Sequence, residues 1–351
     1  MNVSRTRNVT LILGIALIAG STSYGQFNNQ TDWGVHGLDY SRVGTAGWQF
    51  LKLPTHARSA AMGGVRSAVG YGDANSAFGN PASAADVKDF DIQFSSMKWV
   101  ADIQQNGVSV VKGMGDWGTV GLNLQYVDYG EMVRTVVGQS YDELGNDLGI
   151  VPITSGLGTF GAHDLALGIL YSRQITKDLQ LGGNLRILEE LLDDARTRNW
   201  SIDLGTMYWT GLGSLRISML GKNFGPDAEF SEFNDQIKRT PVKVRMPMMF
   251  ILGAAYDVIA LTPDNPHRLI LAAEYIKPND GPDKVNVGAE YFFFYNFYAR
   301  GGYRFNYDEE TFTFGFGAEY SVEDIGIKVD YAYASLGRFN SVNMFSIGIG
   351  F

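Results

Sequence analysis

The stretch TFTFGFGAEY, residues 311–320, alternates between two kinds of side chain. One set is large and mostly aromatic, and the residues between its members are threonine, glycine and glutamate. Successive side chains of an extended chain point to opposite faces, so a period of two predicts a β-strand. A large apolar face opposite a small polar face is typical of a strand that separates lipid from an aqueous interior.

The same period recurs along most of the chain, for example in residues 119–126 and 325–333. Such segments predict about fourteen strands, near residues 89–100, 105–113, 117–130, 159–173, 178–189, 197–210, 213–223, 244–258, 267–277, 284–294, 297–306, 311–321, 324–335 and 342–351. Bacterial single-chain outer-membrane barrels have an even number of antiparallel strands. The fold class is therefore predicted to be all-β, a transmembrane antiparallel β-barrel.

The connections between the predicted strands alternate between long and short. Gly130–Gly158 and Phe224–Lys243 are long, whereas Gly211-Leu212 and Tyr295-Asn296 are two-residue turns. Outer-membrane barrels have long external loops and short periplasmic turns, so the alternation fits a barrel whose two ends are periplasmic.

The composition supports this fold and excludes several functions. Charged residues make up 19% of the chain, below the usual level of about 25%, while glycine reaches 43 residues and phenylalanine 21. The net charge of -9 argues against a nucleic-acid partner, because binding phosphates requires clustered lysine and arginine. The chain has no cysteine, which excludes disulfides and thiolate metal sites.

Residues 1–25 are predicted to be a signal peptide that is cleaved near Gly25. Arg5 and Arg7 precede a short apolar run, which is too short to be a spanning helix of about 20 residues. Residues 26–88 are predicted to form a periplasmic lead-in and an N-terminal hatch, and residues 89–351 the barrel. We expect the mature protein to lie in the bacterial outer membrane.

The hatch prediction rests on residues 44–85, where the period of two is absent. This stretch is rich in glycine, alanine and serine, which allow close backbone packing, and Pro81 cannot lie within a hydrogen-bonded ladder. The candidate hatch motif consists of Gly63, Gly64, Asn80, Pro81 and Ala82.

Two runs carry a resemblance to a known family: WQFLKLPTHARSAAMGG at residues 48–64 and DANSAFGNPAS at residues 73–83. They resemble the N-terminal signature of the PorV/PorQ outer-membrane proteins, which are similar to the fatty-acid transporter FadL with its Asn-Pro-Ala triplet in a hatch. The residues Trp99-Val-Ala-Asp102 and Tyr126-Val-Asp-Tyr-Gly-Glu131 also look like family positions.

The resemblance implies a role in type IX protein secretion, in which the barrel docks the translocon or the C-terminal domains of exported cargo. The two long loops would then form the docking surface. One alternative is a FadL-like transporter of hydrophobic small molecules, with a pocket lined by Phe50, Leu51, Leu53 and Met62. Another alternative is a structural subunit of an outer-membrane complex.

Charged residues of both signs fall on the inward face of the predicted strands: Arg186, Asp203, Arg216, Glu274, Glu290, Arg300, Arg304, Glu319, Lys328 and Asp330. An isolated buried ion is very costly, so we expect these groups to pair. They would form either a network that fixes the hatch to the wall or the polar lining of a conduit.

No motif predicts catalysis or a cofactor. Gly156–Gly161 has the spacing of a dinucleotide fingerprint, but the motif requires a strand before it and a helix after it. The four histidines show no metal-ligand spacing. We therefore expect a non-enzymatic protein without cofactor or metal, whose partners are outer-membrane lipid and either secretion components or a hydrophobic ligand.

Overall fold

The computed structural model describes residues 42–70, 72–141, 144, 147–153, 156–228, 243–262 and 265–351. Within these residues, fourteen strands form one closed antiparallel barrel, which confirms the predicted fold class. The predicted signal peptide and most of the lead-in, residues 26–41, lie outside the described residues.

The barrel strands are β1 (Phe90–Lys98), β2 (Gln104–Gly113), β3 (Thr119–Val133), β6 (Thr159–Thr176), β7 (Leu179–Leu192), β8 (Ala195–Trp209), β9 (Arg216–Phe224), β10 (Met249–Ile259), β11 (Arg268–Pro278), β12 (Lys284–Phe293), β13 (Phe297–Phe305), β14 (Phe312–Val322), β15 (Ile325–Ser335) and β16 (Ser341–Gly350). The remaining two strands, β4 (Val136–Tyr141) and β5 (Asp147–Ile153), pair as a separate hairpin. Each predicted strand corresponds to one barrel strand. The hairpin was missed because its sequence lacks the period of two that marks the wall.

The start of β10 differs most from its prediction, beginning at Met249 rather than near residue 244. Residues before it turn away from the ladder: the side-chain amide of Asn279 donates to the carbonyl of Met246, and its backbone N–H donates to Met248. Met246 is buried as a result. Burial of the Met246 side chain inside the barrel is therefore favoured over extension of β10 toward residue 244.

The barrel closes because β1 pairs with β16, from Asp91 opposite Gly350 to Lys98 opposite Asn343. The backbone N–H of Phe351 also donates to the carbonyl of Phe90 at 2.8 Å. We call the end that carries Phe90 and Phe351 the turn end, and the opposite end, where β3 leads to β6 and β9 to β10, the loop end. Each strand is hydrogen-bonded to both neighbours around the described wall.

The outer surface of the wall is apolar. Outward side chains remain exposed in the isolated chain, including Leu122, Ile169, Ile187, Phe316 and Ile347. Inward side chains of the same strands are small, polar or, as at Leu170, Leu188 and Met344, apolar, and they are buried against the hatch. This arrangement is that of a barrel whose outer band contacts lipid. Among the described residues, no helix is both long and apolar enough to cross a membrane.

The hatch runs along the inside of the barrel in four short helical segments. These are the 3₁₀ turn Gln49–Lys52, the helix α1 (Ala57–Ala61), and the 3₁₀ turns Ala74–Ala77 and Pro81–Asp86. All four have buried residues. The hatch therefore occupies the lumen and does not form part of the wall.

The described part of the hatch begins at the loop end. The backbone N–H of Gly47 donates to the carbonyl of Arg245, and the Lys52 ammonium lies 2.5 Å from Asp280, between β11 and β12. From there the chain descends to the turn end, where Gln180 donates to Asp86 at 2.5 Å. This path differs from the expected periplasmic lead-in, since residues 42–53 lie at the end with the long loops, where their apolar side chains find partners.

Candidate functional site

Gly63 and Gly64 bring the hatch against β12, β13 and β14. The N–H of Gly63 donates to Thr313 Oγ1 at 2.8 Å, and its carbonyl accepts from Arg304 Nε at 3.1 Å. Both glycines have positive φ, 72° and 83°. A Cβ atom at Gly63 would lie 2.6 Å from the carbonyl oxygen of Val287, so only glycine fits this approach.

Asn80 joins two parts of the hatch to the wall. Its side-chain oxygen accepts from the N–H of Ala82 at 3.0 Å, and its Nδ2 donates to the carbonyls of Ser67 and Thr206, each at 2.9 Å. Pro81 then begins the 3₁₀ turn that ends at Asp86. Thr206 lies close to the turn end of β8, so the Asn80-Pro81-Ala82 motif is placed in the turn-end half of the lumen.

Three arginines converge on the buried carboxylate of Glu290. Arg58 of the hatch donates to it twice, at 2.7 and 2.8 Å, and Arg300 donates at 2.7 Å. Arg268 lies 3.7 Å away, and Arg300 also donates to Asp330 at 2.6 Å. Of these five groups the sequence identified only the three on strands β12, β13 and β15. It missed Arg58 and Arg268, because the hatch has no period from which an inward residue can be read and Arg268 begins its strand.

Arg216 and Glu274 fix the hatch at residues 66–69 from β9 and β11, the two neighbours of β10. Arg216 donates to the carbonyls of Ala68 and Val69 at 2.9 and 3.0 Å, and its other partner is Asp257 at 2.8 Å. Glu274 accepts from the backbone N–H of Arg66 at 2.7 Å and from that of Ser67. Charged wall side chains thus bind hatch backbone directly.

Arg186 and Asp203 form a second buried group on β7 and β8. Arg186 donates to Asp203 and to Asn223 Oδ1, each at 2.6 Å, and the N–H of Asn223 donates to Asp203 at 2.7 Å. Next to them Lys222 donates to the hatch carbonyl of Phe78 at 2.6 Å. The register between β8 and β9 shifts there, which buries Asn223 out of phase with the alternation. Lys222 keeps the phase of Arg216 and was missed although the alternation places it inward.

Lys328 and Glu319 lie at the turn end, partly exposed. The Lys328 ammonium is 3.9 Å from Glu319 and 4.0 Å from the hatch residue Asp73, and Tyr298 donates to Glu319 at 2.5 Å. Burial raises the pKa of Asp73, and the positive charges of Lys328 and Arg58 act against that rise. A cavity of about 390 Å³ opens here, and it is lined by charged residues of both signs.

The loop end of the lumen is apolar instead. Three hatch residues, Trp48, Phe50 and Leu51, are buried there against wall and loop residues: Val127, Ala166, Leu188, Ala228 and Met246. We call these eight residues the loop-end cluster. Leu53 and Met248 pack against it. The structure therefore brings together three residues of the expected apolar pocket, Phe50, Leu51 and Leu53, whereas Met62 packs elsewhere, with Val65 and Ile270.

The described residues contain no group of three or more histidine, aspartate or glutamate side chains that could hold a metal ion. Gly156–Gly161 leads from the β4–β5 hairpin into strand β6. It therefore lacks the helix that a dinucleotide site requires.

Comparison with known proteins finds similarity in fold. No protein-family model matches the chain, and no curated protein matches its sequence. A TodX deltaS2S3 mutant monoaromatic hydrocarbon channel is 15% identical, over 84% of this chain and 97% of that chain, with a TM-score of 0.51. The TodX deltaS2 mutant channel is 14% identical, over 85% and 98%, with a TM-score of 0.50. A Pseudomonas aeruginosa FadL homologue is 9% identical, over 84% and 97%, with a TM-score of 0.49.

The two TodX similarities show that this chain shares the barrel fold of those channels. At sequence identities this low, a shared fold does not identify the substrate or the protein partner of this chain. The resemblance to PorV/PorQ proteins is not confirmed by a family match.

Proposed function

We propose that this protein is a non-enzymatic outer-membrane barrel that takes up small hydrophobic molecules through its loop end. The observation that carries the proposal is the loop-end cluster. Its side chains, which include Trp48, Phe50 and Leu51, lie inside the lumen at the barrel mouth, where they have no contact with membrane lipid. Apolar surface buried in a barrel mouth offers a neutral apolar molecule a site out of water.

The composition of the cluster suits variable ligands. Met246 is buried within it, and Met248 packs at its edge. Methionine is unbranched and polarizable, so it adapts to partners of different shape. Phe50 and Leu51 come from the hatch, so a ligand that enters the cluster contacts the movable part of the lumen directly.

Passage beyond the cluster requires the hatch to shift, because hatch residues occupy the lumen from the loop end to the turn end. The hatch is attached by separate side-chain contacts to its backbone, such as Arg216 to Ala68 and Lys222 to Phe78, rather than by a continuous ladder. Contacts of this kind can break one region at a time. The apolar outer band supports a location in the outer membrane, with lipid as the surrounding partner.

Fold-level analogy points the same way. The two TodX mutant structures similar in fold are described as monoaromatic hydrocarbon channels. Shared fold does not determine function, so this analogy supports the proposal without carrying it.

The sequence-based expectation of a role in type IX secretion has no support from the comparisons. One of the two expected docking loops contains the β4–β5 hairpin, while residues 229–242 of the other lie outside the described residues. Co-purification of the barrel with a translocon, or with exported proteins that share a C-terminal domain, would favour that role over transport. A structural role within a larger complex predicts co-purification without uptake.

The direct experiment is uptake of radiolabelled toluene into proteoliposomes that contain the purified barrel. Met246→Asp introduces a charge into the loop-end cluster and is expected to reduce uptake about tenfold, since a buried unpaired charge is costly. Leu144→Asp, at a position that is 88% exposed, is the matched control. Uptake by the unaltered barrel no faster than by empty liposomes would overturn the proposal.

A further inference from the structure

A row of four side chains lines the turn-end rim of the lumen. Arg268, Phe292, Tyr298 and Glu319 come from the consecutive strands β11, β12, β13 and β14. Arg268 is directly opposite Phe292 in the ladder, with its guanidinium 5.8 Å from the ring centroid. The rings of Phe292 and Tyr298 are 4.7 Å apart. A cation therefore borders a pair of aromatic rings.

Of the three arginines near Glu290, Arg268 makes the weakest contact with a carboxylate. The carboxylate of Glu290 is already occupied by hydrogen bonds from Arg58 and Arg300, and Asp330 neutralises a second positive charge. Arg268 approaches Glu290 no closer than 3.7 Å, and its buried Nε has no hydrogen-bond partner among the described residues. Among the described residues, Arg268 is therefore the one of these three arginines that makes no hydrogen bond to Glu290 or Asp330.

Two adjoining cavities meet at this residue. One is the charged turn-end cavity, and the other is lined by Leu261, Phe292, Tyr295, Asn296, Tyr320 and Ser321; each has a volume of about 390 Å³. Arg268, Tyr298 and Glu319 line both. The space beside the guanidinium is therefore large enough for a small organic molecule and is aromatic on one side.

We propose that this rim binds small aromatic carboxylates. The carboxylate accepts hydrogen bonds from the Arg268 guanidinium, and the ring stacks on Phe292 and Tyr298. Glu319 repels anions, but it accepts from Tyr298 and faces Lys328, so the anion is directed to the Arg268 side. The inference goes beyond the proposed function, which concerns neutral molecules at the opposite end of the barrel.

The test is isothermal titration of the detergent-solubilised full chain with sodium benzoate, benzylamine hydrochloride and toluene. We expect benzoate to bind at least about tenfold more tightly than benzylamine, which has the same ring and the opposite charge. Equal binding of the two, or stronger binding of benzylamine, would overturn the inference without any variant. Because no transport is measured, this result is independent of toluene uptake.

Arg268→Gln removes the charge and is expected to weaken benzoate binding about tenfold or more. Arg338→Gln is the matched control, since Arg338 is exposed, pairs with Glu309 and lies between β15 and β16 at the loop end. If Arg268→Gln fails to assemble, Arg268→Lys keeps the charge without the planar guanidinium and is expected to bind benzoate more weakly than the unaltered barrel and the Arg338→Gln control. Unchanged benzoate affinity in a folded Arg268→Gln barrel would contradict the assignment.

Discussion

Different kinds of interaction hold the hatch at the two ends of the lumen. At the loop end, apolar residues of the hatch are buried against the wall, whereas at the turn end charged wall residues bind hatch side chains and backbone. Apolar burial is non-directional, so apolar side chains can repack around a bound ligand. Removing one partner of a buried ion pair, in contrast, strongly destabilises the protein. Under the proposed function, ligands enter where the hatch is held by adaptable apolar contacts, and the charged end sets the position of the hatch.

The largest effect is expected at the charged end. Glu290→Gln leaves Arg58 and Arg300 without their shared carboxylate and should lower the free energy of unfolding by about 4 kcal/mol. Heat-modifiable mobility on gels reports this as a lower melting temperature of the folded barrel. In the matched control Glu309→Gln, the lost partner is exposed Arg338, and the expected change is about 0–1 kcal/mol. Equal melting temperatures would show that the Glu290 group does not hold the hatch.

At the apolar end, Leu51→Ala removes a fully buried hatch side chain. The cavity it leaves should cost roughly 3 kcal/mol by the same gel assay. Leu212→Ala, in an exposed turn, serves as control and should change little. The variant also enlarges the loop-end cluster, so toluene uptake is expected to be retained while stability falls. If Leu51→Ala lost toluene uptake as well as stability, the predicted difference between the two ends of the lumen would be contradicted.

A third change tests the link between the ends. Asn80→Ala with Pro81→Ala removes the hydrogen bonds to Ser67 and Thr206 and should cost about 2 kcal/mol. We expect the barrel still to assemble, because the wall ladders are untouched, while uptake changes. Asn343→Ala, which loses one exposed hydrogen bond to Tyr331, is the control. Loss of heat-modifiable mobility in the double variant would make the motif a requirement for assembly.

The wall could be predicted from the sequence because each strand repeats the alternation seen at residues 311–320. The hatch path could not, since small residues such as those around Gly63 fit many conformations and the wall decides among them. The charged lumen residues on strands were identified by the same alternation, while Arg58 and Arg268 were missed. Asn223 was missed because a register shift, not its residue type, turns it inward, whereas Lys222 was missed although it keeps the phase of Arg216.

The smallest predicted effect is a pH dependence at His56. Burial, followed by nearby positive charges beginning with Arg58, lowers the pKa of His56 well below its ordinary value, so the ring is neutral in the folded barrel. The unfolded chain takes up a proton below about pH 6.5, so stability is present above that pH and falls as pH decreases, by about 1 kcal/mol over the first unit.

His56→Asn keeps an acceptor for the Ser59 N–H, which His56 Nδ1 accepts at 3.2 Å, and removes the titration. Melting temperatures measured between pH 7.5 and pH 5 should then depend less steeply on pH. An unchanged slope would assign the dependence to other groups.

The central claim is that the hatch must move away from the wall for a molecule to pass. Because the chain has no cysteine, Ala68→Cys with Gly253→Cys creates a single possible disulfide between the hatch and β10. A Cβ at Gly253 would lie 3.1 Å from that of Ala68, so the disulfide forms with a small shift of the hatch away from β10 and rotation of the Ser67 and Ser218 hydroxyls, which would lie within 2.8 Å of that Cβ. Toluene uptake into proteoliposomes should fall to the level of empty liposomes in the oxidised variant and return on reduction, with both single-cysteine variants unaffected by oxidant. Equal uptake in the oxidised and reduced states of a fully cross-linked barrel would contradict the account.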